Sequence, residues 1–285
     1  MADDTGASEL QQLADSLITA IEKRFGGMPD TDDLEAALAA FRNGAVQFVR
    51  RYHRLQIDLE VTSLPEPVLF VANHGFGGIF DLNVMAAMAA LEDLELDRPV
   101  TFLTHQLAWT LGVGPIIEHL GARPASEESA TEAFANGEHV MVFPGGDLDA
   151  GKSFVHRNKI VFGGRSGFAR LAIDQKVPIV PIVTAGAGES ALVLTDGKSL
   201  AKALRLDKLL RIKALPISVS LPWGVSVGFA GMAPYLPLPS KLQTTVLPEM
   251  KPRRGEAAAA FADRVQAAMQ DALTAMTADR RPLLG

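Results

Sequence analysis

The chain has 285 residues, a formal net charge of −6 and 48% apolar residues. This composition is typical of a folded globular protein and excludes disordered, collagen-like and coiled-coil chains. The absence of cysteine excludes a disulfide framework, a thiolate nucleophile and a cysteine zinc site. The acidic balance argues against nucleic acid as a partner.

Two helices are predicted before the first strand, so we divide the chain into a two-helix cap (residues 1–55) and an α/β domain (residues 56–285). Ser8 and Gln11 form a capping box, followed by apolar residues at helical spacing. A second helix is predicted to begin near residues 30–33, with acids at its start and arginines at its end. Because the opening segment MADDTGASEL has no apolar run, a cytoplasmic location is expected.

Short apolar runs alternate with helical patterns through the rest of the chain. This alternation predicts an α/β fold, with a mixed, largely parallel sheet flanked by helices and an N-terminal helical hairpin. The predicted strands are 68–72, 100–103, 139–143, 179–183, 217–221 and 244–247. Helices are predicted to begin near Asp81, Gln106, Ser126, Arg165 and Glu256, with a further one over 199–213.

The charges are unevenly distributed along the chain. Residues 151–213 carry twelve bases and four acids, a local charge of +8, whereas residues 214–240 carry no charged side chain. The uncharged block is long enough to cross a bilayer as a helix, but its five prolines and three glycines would break that helix. It therefore forms either the wall of an apolar pocket or a surface that touches a membrane without spanning it.

Two familiar motifs are present only in part. Residues Gly146 to Ser153 match the phosphate-binding pattern G-x-x-x-x-G-K-S, but Asp147 and Asp149 would face the phosphate oxygens, and the segment that follows is a poor helix. The run that starts at His74 resembles the oxyanion loop of esterases, yet no G-x-S-x-G nucleophile elbow follows it. Neither nucleotide hydrolysis nor a serine hydrolase is supported.

His74 and Asp81 are the strongest candidates for catalysis. His74 follows a buried strand, where α/β folds bind ligands, and glycines at 75, 77 and 78 allow Asp81 to reach it. Asp81 would then hold one tautomer of the imidazole, as the acid of a catalytic triad does. In the alternative interpretation, Asp81 is only the N-cap of the next helix and His74 only a buried polar residue.

A glycine-rich, basic run follows the third apolar strand. Arg157, Lys159, Arg165 and Arg170 lie within fourteen residues, and such clusters bind phosphate esters. The alternative is a surface loop between a strand and a helix.

Four segments, taken in chain order, resemble the glycerolipid and lysophospholipid acyltransferase family, of the 1-acyl-glycerol-3-phosphate acyltransferase type. The resemblance covers about residues 65–250. The matching blocks are Asn73-His74 with Asp81, Gly121-Ala122-Arg123-Pro124-Ala125-Ser126, Phe143-Pro144-Gly145-Gly146 and Val177 to Pro181. Six residues separate the histidine from the aspartate, where the usual block has four. In the third block, Gly145 replaces a glutamate and Leu148 an arginine.

The resemblance implies an O-acyltransferase that moves a fatty acyl group from acyl-CoA or acyl carrier protein to the hydroxyl of a lysophospholipid or related glycerolipid. His74 would be the general base and Asp81 would orient it, and no metal or cofactor is required. The backbone amides of Gly145 and Gly146 would stabilise the oxyanion. Asn73 of the first block is expected to contact the substrate. Because the arginine of the third block is missing, phosphate binding is expected from Arg123, Arg157, Lys159 or Arg165.

Three alternatives stay open at this point. The acceptor could be a neutral lipid alcohol if the basic residues do not bind phosphate. The same histidine and aspartate could serve an esterase or thioesterase that uses water. Finally, the fold could bind or carry lipid without chemistry. In each case peripheral contact with the inner face of the cell membrane is expected.

Overall fold

The described part of the chain forms two sheets with flanking helices. The computed structural model describes residues 31–61, 63–75, 81–106, 109, 114–197, 202–203, 217–220, 223–227 and 236–285. The predicted first helix therefore lies outside the described residues. The helix predicted over 199–213 and the one predicted near Gln106 lie almost wholly outside them.

Ten strands are described, in two sheets. They are β1 (Gln56–Leu59), β2 (Leu69–Ala72), β3 (Val100–Thr104), β4 (Ala122–Pro124), β5 (His139–Val142), β6 (Ile179–Ala185), β7 (Leu192–Thr195), β8 (Ile217–Ser220), β9 (Gly224–Val227) and β10 (Gln243–Val246). The main sheet has the order β1-β10-β6-β2-β5-β3-β4, and the small sheet has the order β7-β8-β9. Neighbouring strands from β6 to β4 are parallel, whereas β10 is antiparallel to β6 and the small sheet is antiparallel throughout.

Helices cover both faces of the main sheet. They are α1 (Thr31–Arg51), α2 (Leu82–Asp93), α3 (Gly114–Glu118), α4 (Glu127–Ala135), α5 (Gly146–Ala150), α6 (Gly167–Gln175) and α7 (Ala258–Thr277). Alternate residues of β2 point to opposite faces: Leu69 and Val71 pack with α4, α6 and α7, whereas Phe70 and Ala72 pack with α2. Every residue of β2 and β6 is buried, as expected for central strands covered on both sides.

The structure confirms the mixed, largely parallel sheet and all six predicted strands. Four strands were not predicted: β1, β4, β7 and β9. Each has only three or four residues, and β1 and β4 are the two edges of the main sheet. Short edge strands carry a weak apolar signal because only one side of each is paired. Within the part of the chain that can be described, no helix is long and apolar enough to cross a membrane.

Candidate active site

His74 lies where β2 ends, at the carboxyl edge of the main sheet. Strand β2 is paired in parallel with β5 on one side and with β6 on the other. The carboxyl ends of all three strands therefore meet around His74, at the edge where open α/β sheets bind ligands.

The predicted contact between His74 and Asp81 is present. His74 Nδ1 lies 2.6 Å from Asp81 Oδ2, and the two side chains are 19% and 7% exposed. Asp81 Oδ1 accepts a hydrogen bond of 2.8 Å from the backbone N–H of Asn83, so Asp81 is also the N-cap of α2. The two interpretations of Asp81 are thus compatible, because each carboxylate oxygen has its own task.

This contact fixes the tautomer of the imidazole. An ionised carboxylate only accepts hydrogen bonds, so the proton shared with Asp81 belongs to Nδ1 of His74. In the neutral ring, Nε2 then carries the lone pair. The ring also packs on Phe143, with the ring centroids 4.8 Å apart. The imidazole is therefore held in one orientation, with its basic nitrogen available.

A buried ion pair holds the backbone of His74. The His74 N–H donates to Asp149 Oδ2 at 2.7 Å, and Lys152 Nζ donates to the His74 carbonyl oxygen at 2.9 Å. Lys152 Nζ also contacts Asp149 Oδ1 at 2.7 Å, and the two side chains are 6% and 0% exposed. The peptide groups on either side of His74 are thus bound by opposite charges of one pair.

Asp149 also explains the glycine in the third sequence block. A Cβ at position 145 would collide with the Cβ of Asp149 and approach the carbonyl oxygen of Val161. Asp149 Oδ1 in addition accepts the Val161 N–H at 3.0 Å. Residue 145 therefore has no room for a glutamate, and a carboxylate four residues later occupies this region. In the sequence, Asp149 and Lys152 are recognisable only as parts of an imperfect phosphate-binding loop, because no local pattern indicates their contacts with His74.

The two glycines of the third block differ in their available amides. Gly146 has φ +49° and donates its N–H to the Phe143 carbonyl oxygen at 3.1 Å. For the N–H of Gly145, no acceptor is found among the described residues. Of the two predicted oxyanion donors, Gly145 is the one whose N–H is not used within this part of the protein.

Asn73 lies inside the sheet. Its Nδ2 donates to the Thr184 carbonyl oxygen at 3.1 Å, and its Oδ1 accepts the Thr184 N–H at 2.9 Å. The residue is 3% exposed, and its own carbonyl oxygen accepts a hydrogen bond of 2.8 Å from Asn83 Nδ2. Asn73 therefore ties the end of β2 to β6 and to α2.

Arg165 returns to the glycine turn from the start of α6. Its Nη1 donates to the carbonyl oxygens of Pro144 and Gly145 at 3.0 and 2.5 Å, and its Nη2 lies 2.8 Å from Asp147 Oδ1. The side chain is 34% exposed. Arg165 thus stabilises the turn that carries Gly145 and still reaches solvent.

The other predicted cations, Arg123, Arg157 and Lys159, lie in three different surroundings. Arg123 is on the edge strand β4, three strands from β2 and so about 14 Å away, and it pairs with Glu132 and Glu138. Arg157 stacks on Phe154, with its Cζ 4.1 Å from the ring centroid. Lys159 is exposed. Arg123 is therefore remote from β2 and already paired with two carboxylates.

The family comparison covers the part of the chain that contains the four sequence blocks. Residues 54–185 match the sequence model of the family described as Acyltransferase. An uncharacterized protein of Mycobacterium leprae is 30% identical over 241 residues, which cover 82% of this chain and 62% of the relative. The DGAT1/2-independent enzyme synthesizing storage lipids of Gallus gallus is 30% identical over 157 residues, 54% of this chain and 45% of that enzyme. The chain spans about half of the length of the curated relatives it matches.

Among solved structures, the 1-acyl-sn-glycerophosphate (LPA) acyltransferase PlsC from Thermotoga maritima has a TM-score of 0.46 and 13% sequence identity to this chain. That match covers 94% of this chain and 97% of the other.

Proposed function

The chain belongs to the acyltransferase family through residues 54–185, and on that premise we propose that it transfers a fatty acyl group from acyl-CoA or acyl carrier protein to a lipid hydroxyl. One observation carries the proposal: His74, at the carboxyl edge of the sheet, is bound through Nδ1 to Asp81 at 2.6 Å. This contact leaves the lone pair on Nε2, where a general base needs it.

The reaction needs one proton acceptor and no covalent enzyme intermediate. Nε2 of His74 takes the proton of the acceptor hydroxyl while the hydroxyl oxygen attacks the carbonyl carbon of the thioester. The tetrahedral intermediate then collapses, the carbon–sulfur bond breaks, and the imidazolium returns the proton to the leaving thiolate. The Gly145 N–H is the proposed donor to the oxyanion. The absence of cysteine is compatible with this direct transfer.

In this scheme Asp149 and Lys152 are positioning residues. They bind the backbone N–H and the carbonyl oxygen of His74, and they do so from a buried position. These contacts hold the backbone of His74 in place before substrate binds, and fixed geometry of this kind is itself a large part of enzymatic rate enhancement.

For the acceptor, we propose a lysophospholipid or related glycerolipid, with Arg157, Lys159 and the exposed part of Arg165 as the cations for a phosphate. A neutral lipid alcohol is the second candidate. It is favoured by the ion pairs of Arg123 and Arg165, which already use these guanidinium groups within the protein. The name of the Gallus gallus relative, an enzyme synthesizing storage lipids, also favours a neutral lipid acceptor.

We further propose that the protein works in the cytoplasm, in peripheral contact with the inner face of the cell membrane. A lipid acceptor and a long-chain acyl group both partition into a bilayer, since each buried methylene contributes about 0.8 kcal/mol. A peripheral position would bring the active site to both.

The activity is tested by incubating the protein with palmitoyl-CoA in three samples: with lysophosphatidic acid, with a long-chain alcohol, and with neither. Free thiol and product lipid are measured in each. Thiol release only with an acceptor is the result expected of a transferase, and the acceptor that reacts identifies the substrate class. Equal release without acceptor would identify a thioesterase, and no release in any sample would leave only lipid binding.

His74→Ala tests the assignment of the base. We expect kcat to fall by about 10²- to 10⁴-fold, because the acceptor hydroxyl then loses its proton to water only. Binding of palmitoyl-CoA, measured by calorimetry on the same preparation, should be unchanged and serves as the folding control. Retention of more than about a tenth of the activity would remove His74 from this role.

A further inference from the structure

The small sheet exposes its apolar side chains and buries its serines. Cross-strand neighbours form one row of Leu192, Val219 and Val225 and a second row of Ile217 and Val227. These residues, with Leu194 and the turn residue Trp223, form what we call the outer face. On this face, Val225 is 69% exposed, Leu194 53% and Trp223 54%.

The inner face of the same strands carries three serines and one apolar residue, Val193, which is 3% exposed. Ser218, Ser220 and Ser226 are 0%, 7% and 7% exposed. The hydroxyl oxygens of Ser218 and Ser220 are buried without a hydrogen-bond partner in the described part of the chain. A solvated antiparallel sheet normally shows the reverse arrangement, with polar residues outward and apolar residues toward the protein. The pattern is therefore suited to an apolar environment outside the chain.

The chemistry of the outer face selects the partner. The described residues of β7, β8 and β9 contain no charged side chain, so the face does not match a charged macromolecule. Trp223 stands at the turn between β8 and β9, and an indole, with its apolar ring and single N–H, is suited to the interface of a membrane.

A basic, apolar turn borders this face. Strand β7 contacts the 3₁₀ turn Phe154–His156, in which Val155 is 76% exposed, and exposed Lys159 follows three residues later. An apolar face with a cation beside it is complementary to acyl chains beneath anionic headgroups. The positive charge of Lys159 thus favours an anionic lipid surface over a second copy of the same chain, which would bring the same positive charge to the contact.

The outer face is connected to the active-site edge. Strand β7 begins seven residues after β6 ends, and the intervening 3₁₀ turn Ala187–Glu189 packs on Arg157 at Gly188. Strand β6 ends beside β2, which carries His74. Building on the proposed function, we propose that the outer face of the small sheet is the surface that binds an anionic lipid bilayer and brings the carboxyl edge of the main sheet to its lipid substrate.

Flotation with vesicles of phosphatidylglycerol and phosphatidylcholine in equal amounts tests this proposal. The variant V225T/V227T replaces two outward methyl groups by hydroxyls and keeps residues that favour strands. We expect its partition to vesicles to fall by about tenfold or more. The control A259T/A260T adds two hydroxyls at exposed positions of α7 and should float like the wild type. Thermal melts of all three proteins check that the fold is kept.

Two outcomes would overturn the proposal. The first is equal flotation of V225T/V227T and the wild type. The second is a wild type that does not float and sediments as a dimer, while V225T/V227T sediments as a monomer, which would make the outer face a contact between copies.

The proposed enzymatic activity is tested separately, by measuring turnover of a short-chain, water-soluble thioester and alcohol without vesicles. We expect V225T/V227T to retain wild-type turnover in this assay. Turnover without flotation would overturn only the docking surface, and flotation without turnover would overturn only the enzymatic function.

Discussion

In the main sheet, β2 and β6 bury every residue between two layers of helices, whereas in the small sheet Val225 faces solvent and Ser218 is buried. In both sheets, successive side chains of a strand point to opposite faces. The two sheets therefore differ in what each face contacts. The main sheet finds its apolar partners within the chain. The small sheet has an outward face that requires an apolar partner from elsewhere.

The polar groups that bind the backbone around His74 are mutually paired. Asn73 pairs with Thr184 and Asp149 with Lys152, although Asn83 Oδ1 on α2 is buried without a partner among the described residues. In the small sheet, the buried hydroxyl of Ser218 has no partner within the described residues. A satisfied network fixes geometry, and fixed geometry serves chemistry. We therefore expect changes near His74 to affect turnover of any substrate, and changes of the outer face to affect only substrates in vesicles.

Apart from the loss of His74 itself, Asp81→Asn is expected to have the largest effect on turnover. This variant distinguishes the two regions because it changes the active site and leaves the small sheet unchanged. Asparagine is as good an N-cap as aspartate, so α2 should keep its start. Its amide N–H would face Nδ1 of His74, however, and the imidazole proton would move to Nε2. We expect kcat to fall by about 10²- to 10⁴-fold with soluble and vesicle-borne substrates alike, while the free energy of unfolding changes by less than about 1 kcal/mol.

Asp81→Ala is the matched control, because it removes both tasks of this carboxylate. It should lose activity as Asp81→Asn does and also destabilise the fold by about 0.5–2 kcal/mol. If Asp81→Asn kept full activity, Asp81 would be only the N-cap of α2.

The next largest effect is expected from the ion pair beneath His74. Asp149→Asn and Lys152→Met should each lower the free energy of unfolding by about 3–5 kcal/mol, because each leaves a buried charge without its partner. The double variant should recover part of this loss, since no unpaired charge remains. Urea unfolding of the four proteins gives the coupling energy, and turnover should fall in all three variants.

The exposed pair of Glu249 and Lys251 provides the control for this cycle. The two groups are 2.8 Å apart, close to the 2.7 Å of the buried pair, but their side chains are 44% and 67% exposed. We expect a coupling energy below about 1 kcal/mol and unchanged turnover from Glu249→Gln and Lys251→Met. An equally small coupling between Asp149 and Lys152 would contradict their assignment as the clamp of the His74 backbone.

The sequence predicted the central strands and the contact between His74 and Asp81 better than the edge strands and the long-range contacts. The central strands were found because β2, β5 and β6 are continuous apolar runs, which only a sheet covered on both faces buries. His74 and Asp81 were identified because His74 follows such a strand closely and a glycine-rich segment joins it to Asp81. Their 2.6 Å contact agrees with that reasoning, while their catalytic roles stay predictions.

Contacts between residues that are far apart in the chain could not be predicted from the sequence in this way. Asp149 and Lys152 bind the backbone of a residue about 75 positions earlier in the chain, and no local pattern records such a contact. Asn73 gave the same difficulty: the resemblance implied a substrate contact, and only the pairing of β2 with β6 places Thr184 opposite its amide. In the small sheet only β8 was predicted, because β7 and β9 are its edge strands and carry a weak apolar signal.

The smallest of these effects is the pH dependence of the free energy of unfolding. It is expected from the main sheet and not from the small sheet, since the described strands of the small sheet contain no titratable side chain. His139 on β5 is buried, accepts the Val68 N–H at Nδ1 at 3.1 Å and packs on Phe70. Burial, with a smaller effect of the nearby Arg98 guanidinium, lowers the pKa of His139 to about 4.

The sign follows from proton binding. Between the ordinary histidine pKa, near 6.5, and the lowered pKa, the unfolded chain holds a proton that the folded chain lacks. The free energy of unfolding should therefore fall as the pH is lowered through this window, by about 2–3 kcal/mol from this one group. Burial also lowers the pKa of His53, which adds an effect of the same sign.

His139→Asn isolates the contribution of β5, because its amide oxygen can still accept the Val68 N–H. In urea unfolding at pH 7 and pH 4.5, the variant should show a smaller difference in stability between the two pH values than the wild type. His119→Asn, at an exposed position, should show the wild-type difference. An unchanged difference in His139→Asn would place the acid sensitivity outside the main sheet and remove this contrast between the two regions.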